Sequence, residues 1–550
     1  MEIQNIDGVL FTKLIRAGAA NLSAHTEEVN DLNVFPIPDG DTGSNMLLTI
    51  QGGANVVSSG NEGVGAVSRR AADGMLLSAR GNSGVILSQF FDGIAAGLDG
   101  KETADEKDTA DAFLCGVDHA YNAVVDPVEG TILTVVREAS EYAANRTHKD
   151  VTGYLSDFLY QAGESLRLTP EKLPVLKKAG VVDSGAAGLI YIIEGIVAAL
   201  NNDAPQAKET PVSAPATSTE NALDLDRFNE DSELTFGYCT ELLLRLQRAK
   251  TDLETFDVDV IKNYLKTVGD SIVCFRTGSI VKIHVHTKTP YMVLEFCQRY
   301  GEYLTVKIEN MSLQHNSLPA DSKLTQKPER KEFAVVAVAS GEGIKQTFRE
   351  MGADCIVEGG QSMNPSAEDF LEAFGRVNAD VVFVLPNNSN VILAAKQAAK
   401  LYKDSEIRVI DSRSIGDCYA ILTMLDLDSG DANEIENEMN DAMNGVVTAC
   451  VSKCIRDAEM DGFLLHDGQY IGITGKEIIS ADNDRRDTAC MLADKLDFSD
   501  HEICIIVRGA DSDEQEAEEI ATHIRKAHPG CEVFAIDGGQ EIYSYILIVE

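Results

Sequence analysis

Two carboxylates separated by a single glycine are the residues here most able to do chemistry. Asp39 and Asp41 flank Gly40 in NVFPIPDGDTGSNMLLTI, residues 33–50. Pro36 and Pro38 hold the chain extended ahead of them, and Thr42, Gly43, Ser44 and Asn45 lead into an apolar helical run. Carboxylates this close repel each other unless a cation or a helix N-terminus compensates. Their hard oxygens suit Mg²⁺, and a helix start offers free backbone N–H groups to a phosphate, with glycines letting the backbone approach the anion. The same residues also compose an Asp-Gly turn with Asp41, Thr42 or Ser44 as helix cap. The run lacks the Lys-Ser/Thr ending of a Walker A loop and is not a dinucleotide fingerprint. Residue types alone therefore give a Mg–phosphate site or a capped turn.

A second cluster combines Cys239, in FGYCTELLL, with His284 and His286, in KIHVHT. Residues at i and i+2 share one face of a strand, and two imidazoles with a thiolate suit Zn²⁺. Cys274 is a spare thiolate. The alternative is a half-exposed strand that happens to carry two polar residues. Cys450 and Cys454, spaced CxxxC on a stretch that reads as helical, are taken as small buried residues.

Elements must position these groups, and the composition bounds what they can be. The 550 residues, with 47 Lys+Arg against 88 Asp+Glu and a net charge of −41, exclude nucleic-acid binding as a bulk electrostatic property and call for several domains. The N-terminus lacks a secretory pattern, and no segment offers about 18 uninterrupted apolar residues. The 11 scattered cysteines fit free thiols. A cytoplasmic protein is expected.

The Pro/Ala/Ser/Thr-rich stretch around 201–225 reads as a flexible linker, and 319–331 as a second. They delimit domains at 1–200, 226–318 and 332–550. The first is helical by pattern: GTILTVVREASEYAAN and AAGLIYIIEGIVAALN are long apolar-periodic runs. The second is a small α+β module, with a helix at ELLLRLQRAK, a hairpin turning at Thr277-Gly278, and a helix at YMVLEFCQRYG. The third alternates apolar strands (FAVVAVAS, ADVVFVLP, EIRVID, EICIIVRG) with helices, which predicts a parallel α/β sheet.

NVFPIPDGDTGSNM resembles the metal-binding loop of the nucleotide domain of dihydroxyacetone kinases. More closely, it is similar to the ATP-binding subunit of bacterial fatty acid kinases. SARGNSGVILSQFFDGIA from Ser78 and KKAGVVDSGAAGLIYIIEG from Lys177 agree in order and spacing. The resemblance extends to the His-Val-His strand and to a C-terminal part similar to DegV-type lipid-binding proteins. It implies a multidomain chain: a helical barrel with nucleotide and two Mg²⁺ ions at one end, an α+β middle domain, and a DegV-like α/β domain.

Carried over by position, Asp39 and Asp41 are the metal carboxylates. Asn33 falls near a third carboxylate of the dihydroxyacetone kinases, where an amide is a weaker ligand. Thr42, Gly43, Ser44 and Asn45 hold phosphates, Asn82, Ser83 and Gly84 form the second phosphate-facing loop, and Thr131 lines the nucleotide pocket. Asp183, in DSGAAG, is either a nucleotide-loop residue or a helix cap. Arg80 is either a stabiliser of transferring phosphate charge or a structural arginine.

The resemblance gives Cys239, His284 and His286 a matching zinc set. It makes loops with Ser362, Asn364, Ser366 and Asn387–Asn390 part of a docking platform for a separate fatty-acid-binding protein of the DegV family, and implies a homodimer. The implied chemistry is in-line transfer from ATP to a fatty carboxylate, already ionised and needing no strong base. Two rivals stand beside it: a polyol kinase of the same fold, and a nucleotide-binding scaffold without turnover.

Overall fold

The computed structural model describes residues 3–33, 41–57, 62–201, 238–253, 255–277, 279–310, 330–361, 363–427, 430–499 and 501–550. They divide into two compact units, one holding the N-terminal helices together with the C-terminal α/β elements, the other holding the middle domain.

The N-terminal helices are α1 (Gly8–Ala24), α2 (Thr26–Asp31), α3 (Thr42–Val56), α4 (Val64–Ser78), α5 (Gly81–Gly97), α6 (Glu106–Asn122), α7 (Ile132–Ala144), α8 (Val151–Arg167), α9 (Thr169–Lys172), α10 (Pro174–Ala179) and α11 (Ser184–Leu200). Their apolar stripes bury one core that includes Ile15, Leu22, Met46, Ile50, Phe90 and Phe158. Starts are written in the sequence: the side chains of Asp7, Asp105, Asp150 and Asp183 each accept a backbone N–H in the first turn of α1, α6, α8 and α11. Neighbours along the chain pack pairwise from α3 to α8, α8 lies on α11, α11 on α1, and α1 on α3, which closes the ring.

In the same unit, β5 (Lys331–Ala339), β6 (Cys355–Glu358), β7 (Ala379–Leu385) and β8 (Glu406–Val409) form a sheet in the order β6-β5-β7-β8. Its β5/β6 and β7/β8 pairs are parallel. Helices α14 (Glu342–Glu350), α15 (Ala367–Arg376) and α16 (Ile392–Leu401) alternate with these strands, as the βαβ rhythm predicts. The expectation of a single parallel sheet does not hold beyond it. A second sheet, ordered β13-β12-β9-β16-β14-β15, is built from β9 (Val447–Lys453), β12 (Tyr470–Thr474), β13 (Glu477–Asp482), β14 (Ile503–Gly509), β15 (Glu532–Gln540) and β16 (Tyr543–Val549). Only its β14/β15 pair is parallel; the others are antiparallel. Between β9 and β12, the short strands β10 (Ala458–Met460) and β11 (Phe463–Leu465) pair as a separate antiparallel ribbon. Hairpin strands such as β12 and β13 carry short patterns that no crossover helix announces.

Cys450 consequently lies in β9 and Cys454 just after it, not on a helix, and Cys454 is buried. None of the ten described cysteines is in a disulfide. No helix of the described residues is long and apolar enough to cross a membrane.

The middle unit is a sheet of order β2-β3-β1-β4 with two helices. Its strands are β1 (Tyr238–Leu246), β2 (Asp270–Thr277), β3 (Ile280–Thr287) and β4 (Gly301–Asn310), and its helices α12 (Asp259–Val268) and α13 (Pro290–Cys297). ELLLRLQRAK is therefore not a helix: its first half is the central strand β1. Leucine favours helices, but Leu242, Leu244 and Leu246 alternate into the core while β3 and β4 satisfy the β1 backbone on either side. The hairpin and the helix after it fall where the sequence puts them.

Candidate functional site

Four long helices of the ring start at one end of it. The N-termini of α3 and α5 meet where Gly81 takes a left-handed φ of +58°. A Cβ at Gly81 would lie 2.6 Å from Asn45 Nδ2, so only glycine lets α5 begin this close to α3. The starts of α3 and α11 meet through Ser184 Oγ, 3.3 Å from both Thr42 Oγ1 and Asn33 Oδ1. Those of α7 and α11 meet at Asp183, whose carboxylate accepts from the backbone N–H groups of Ala186, at 2.8 Å, and Ile132. Each helix brings about half a positive charge to its first turn. Helix starts that meet in this way favour negative charge between them.

Asp41 stands at the start of α3 without the side-chain bond to a first-turn backbone N–H that a capping aspartate makes; its carboxylate is held instead by the side chains of Asn45 and Asn364. Burial pushes its pKa up to about 6, against hydrogen bonds from Asn45 and Asn364 that pull the other way. Asp183 is likewise pushed up to about 6 by burial, against its two backbone hydrogen bonds. A buried carboxylate that resists ionisation is one a cation would stabilise.

The other candidates surround this point. Asn33 Oδ1 accepts from Thr42 Oγ1 at 3.0 Å, and Asn45 is buried beside Asp41. Gly84 packs on Thr49 and the Asn45 carbonyl, and Asn82 and Ser83 fill the first turn of α5. Thr131 caps α7 with its hydroxyl turned to the Val128 carbonyl, 2.7 Å away. Asp39 lies outside the described residues, as does Ser362. Among the described residues, no three His, Cys, Asp or Glu side chains converge as a metal cluster.

Sequence reading missed Asn30. Its Oδ1 accepts from Gly43 N at 2.7 Å and Ser44 N at 3.3 Å, and its Nδ2 donates to Ser44 Oγ at 3.1 Å. It caps α3 from a neighbouring helix, and no motif announces a cap from 13 residues upstream. Asn30→Ala should leave those N–H groups unpaired and cost about 1–2 kcal/mol. Thermal unfolding would register this as a lower midpoint.

Arg80 is claimed by the C-terminal elements. Its Nη1 donates to the Asn364 carbonyl at 2.8 Å, its Nη2 lies 3.5 Å from Asp369 Oδ2, and its backbone bridges to Ser366. Asn390 Oδ1 accepts from Asn82 Nδ2 at 3.2 Å. Asn364 follows β6 and Asn390 follows β7, the carboxyl ends of parallel strands where α/β sheets place their ligands. Asn387 and Asn388 are turned instead toward the neighbouring loops of their own sheet: Asn387 Oδ1 accepts from Ser412 Oγ after β8, and Asn388 Nδ2 donates to Gln361 Oε1 after β6.

In the middle unit the β1/β3 register pairs Cys239 with His286 and Glu241 with His284, which puts the Cys–His–x–His positions in adjoining rows. The side chains of Cys239, His284 and His286 lie outside the described residues. Cys274 pairs with Ile283 and is buried in the apolar core, so it belongs to the opposite set of alternating positions and is no spare ligand.

Comparison with known proteins bears on the whole length of the chain. Residues 36–198 match the DAK2 domain, residues 235–318 the FakA-like middle domain of fatty acid kinases, and residues 334–550 the FakA-like C-terminal region. Protein YloV of Bacillus subtilis is 39% identical over 560 aligned positions that cover all of both chains. The chain belongs to the FakA-like family of fatty acid kinase proteins. An uncharacterized Staphylococcus aureus protein is 36% identical, again over the full length of both. Among solved structures, the fatty acid kinase B3 protein of Streptococcus pneumoniae, loaded with linoleic acid, aligns with 40% of this chain and 99% of its own at 14% identity and TM-score 0.30. A fatty-acid-binding DegV family protein from Thermus thermophilus gives 13% identity and TM-score 0.30 over the same shares.

Proposed function

We propose that this chain is the ATP-dependent kinase component of a two-component fatty acid kinase. It would transfer the ATP γ-phosphate to a fatty acid presented by a separate fatty-acid-binding protein. The observation that carries this reading is the meeting of the α3, α5, α7 and α11 N-termini around the half-buried Asp41 carboxylate. Family membership supplies the class of acceptor.

The residues present fit Mg²⁺: Asp41, with Asp39 one residue beyond Gly40, and the Asn33 amide are hard oxygen donors. Bound there, Mg²⁺ would neutralise triphosphate charge. The first turns of α3 and α5 would orient the phosphates, and Asp183 would hold α7 and α11 together so that Thr131 stays at the rim. A fatty carboxylate oxygen attacks the γ-phosphorus in line. The bond from that phosphorus to the β–γ bridging oxygen breaks, ADP leaves with the electron pair, and an acyl phosphate forms. The nucleophile is ionised at neutral pH, so no histidine is required. Cys239, His284 and His286 form a donor set suited to zinc, in a separate unit.

The test is ATP consumption by the purified chain with Mg²⁺, a DegV-family fatty-acid-binding protein and a long-chain fatty acid, with hydroxylamine trapping the product. Acyl hydroxamate that requires both fatty acid and partner is the expected result. ATP binding without hydroxamate, in the presence of a demonstrably active partner, would overturn the fatty acid reading and leave a polyol acceptor or a silent scaffold.

A further inference from the structure

Asn364 is 1% exposed, although it sits on a loop between β6 and α15. Its Nδ2 donates to Asp41 Oδ2 and its carbonyl accepts from Arg80 Nη1, so one residue of the C-terminal elements engages two candidate groups of the helical ring. Its own Oδ1 is buried with no hydrogen-bond partner, and so is Oδ1 of Asn82. A buried unpaired acceptor costs about 1–3 kcal/mol, and native structures tolerate few. The one on Asn364, whose amide already bonds the Asp41 carboxylate, marks a place where something that carries hydrogens and positive charge belongs. A hydrated divalent cation has both, because Mg²⁺ keeps several of its waters.

The C-terminal elements also reach α2 and α10. Arg456 Nη1 donates to the Asp31 carbonyl at 2.7 Å, and β10 packs on α10, just ahead of α11. The C-terminal elements thus touch this end of the ring at the starts of α3 and α5 and also at α2 and α10. Gln397, on α16, ties the two sets of elements together further out, donating to the Leu76 carbonyl.

We infer that Asn364 is a positioning residue of the metal–phosphate end, and that the C-terminal module completes the kinase site in cis. Its amide N–H orients Asp41 toward the cation, and its free Oδ1 accepts from a water the cation carries. The inference rests on the kinase reading and goes beyond it, since that reading needs only the helical ring and an outside partner.

The experiment is a titration of the full-length chain with Mn²⁺, a paramagnetic stand-in for Mg²⁺, in the presence of ADP. Free Mn²⁺ is followed by electron paramagnetic resonance and folding by circular dichroism. Asn364→Ala should raise the apparent Mn²⁺ dissociation constant about tenfold or more. Gln397→Ala, which loosens the same interface away from Asp41, should change it much less. Equal losses in both variants would reduce Asn364 to an interface contact. Tighter Mn²⁺ binding in Asn364→Ala would make the loop a cap that blocks the site. Either result overturns the inference, as does unchanged binding. A native chain that takes up neither Mn²⁺ nor ADP would remove the kinase reading as well. Should the alanine variant misfold, Asn364→Ser keeps a hydroxyl donor and should show a smaller loss in the same titration.

Discussion

Asp41→Asn should lose phosphoryl transfer by on the order of 10³-fold in kcat and yet unfold at a higher temperature than the native chain in metal-free buffer at neutral pH. The two effects share one cause. Burial at the start of α3 lifts the Asp41 pKa to about 6 from its ordinary 3.8, so the folded state holds the proton more tightly than the unfolded chain does. A raised carboxylate pKa gives stability that is fully present below the unfolded value and is lost as pH rises through the folded one. Without a cation, the native chain should therefore lose stability between about pH 4 and pH 6 through this group, and Asp183, lifted the same way, adds to the loss. The asparagine variant lacks the Asp41 share, so its advantage should be larger at pH 8 than at pH 4. Adding Mg²⁺ should narrow the gap by stabilising the native chain alone. Melting curves at the two pH values, with and without Mg²⁺, check this. A variant that is less stable than the native chain in chelated buffer would show that Asp41 is a structural cap.

Gly43→Ala should be nearly as damaging to activity, through geometry and not charge. A Cβ at Gly43 would overlap the Thr26 carbonyl and lie 3.0 Å from Asn30 Oδ1 and 3.1 Å from Val29 Cβ. Backbone cannot swing aside as the end of a side chain can, so the first turn of α3 must move away from α2. The move breaks the 2.7 Å bond from Gly43 N to Asn30 and carries Asp41, Thr42 and Ser44 with it. Overpacking of this kind costs about 1–3 kcal/mol. A displacement of about 1 Å in a phosphate-positioning turn is expected to lower kcat about 100-fold. Steady-state kinetics beside thermal unfolding would separate the two. A normal kcat in a destabilised protein would show that α3 need not be placed tightly against α2.

Much of this molecule is legible along the chain because the relevant signals are local. Apolar periodicity marks the helices of the ring, and aspartates mark where several begin. The Asp-Gly-Asp run, the Ser-Ala-Arg-Gly-Asn-Ser-Gly run and the Asp-Ser-Gly-Ala-Ala-Gly run each announce a helix start with glycine beside it, and these are the starts that meet. The βαβ rhythm of the C-terminal part is equally local, and it holds for β5 to β8, where crossover helices separate the strands.

Non-local choices are where sequence reading failed. ELLLRLQRAK carries the leucines of a helix and became the central strand β1, because partners on both sides, up to about 70 residues away, supply its ladder. Of the largely antiparallel second sheet the sequence reading caught only β14, because β9, β12 and β13 are short and follow one another with no helix between them. Cys274 and the two histidines look equivalent in the sequence; only the pairing with Ile283 places the cysteine in the apolar core.

The site divides along the same line. The sequence by itself determined which residue types stand at each helix start, since a cap, a glycine and a carboxylate act on their own first turn. Tertiary structure alone decided that four such starts share one end of the ring, that Asn30 caps α3 from outside it, and that Asn364, 323 residues from Asp41, closes on that carboxylate. A contact between residues so far apart depends on how two sets of elements pack, and no periodicity within either set records it.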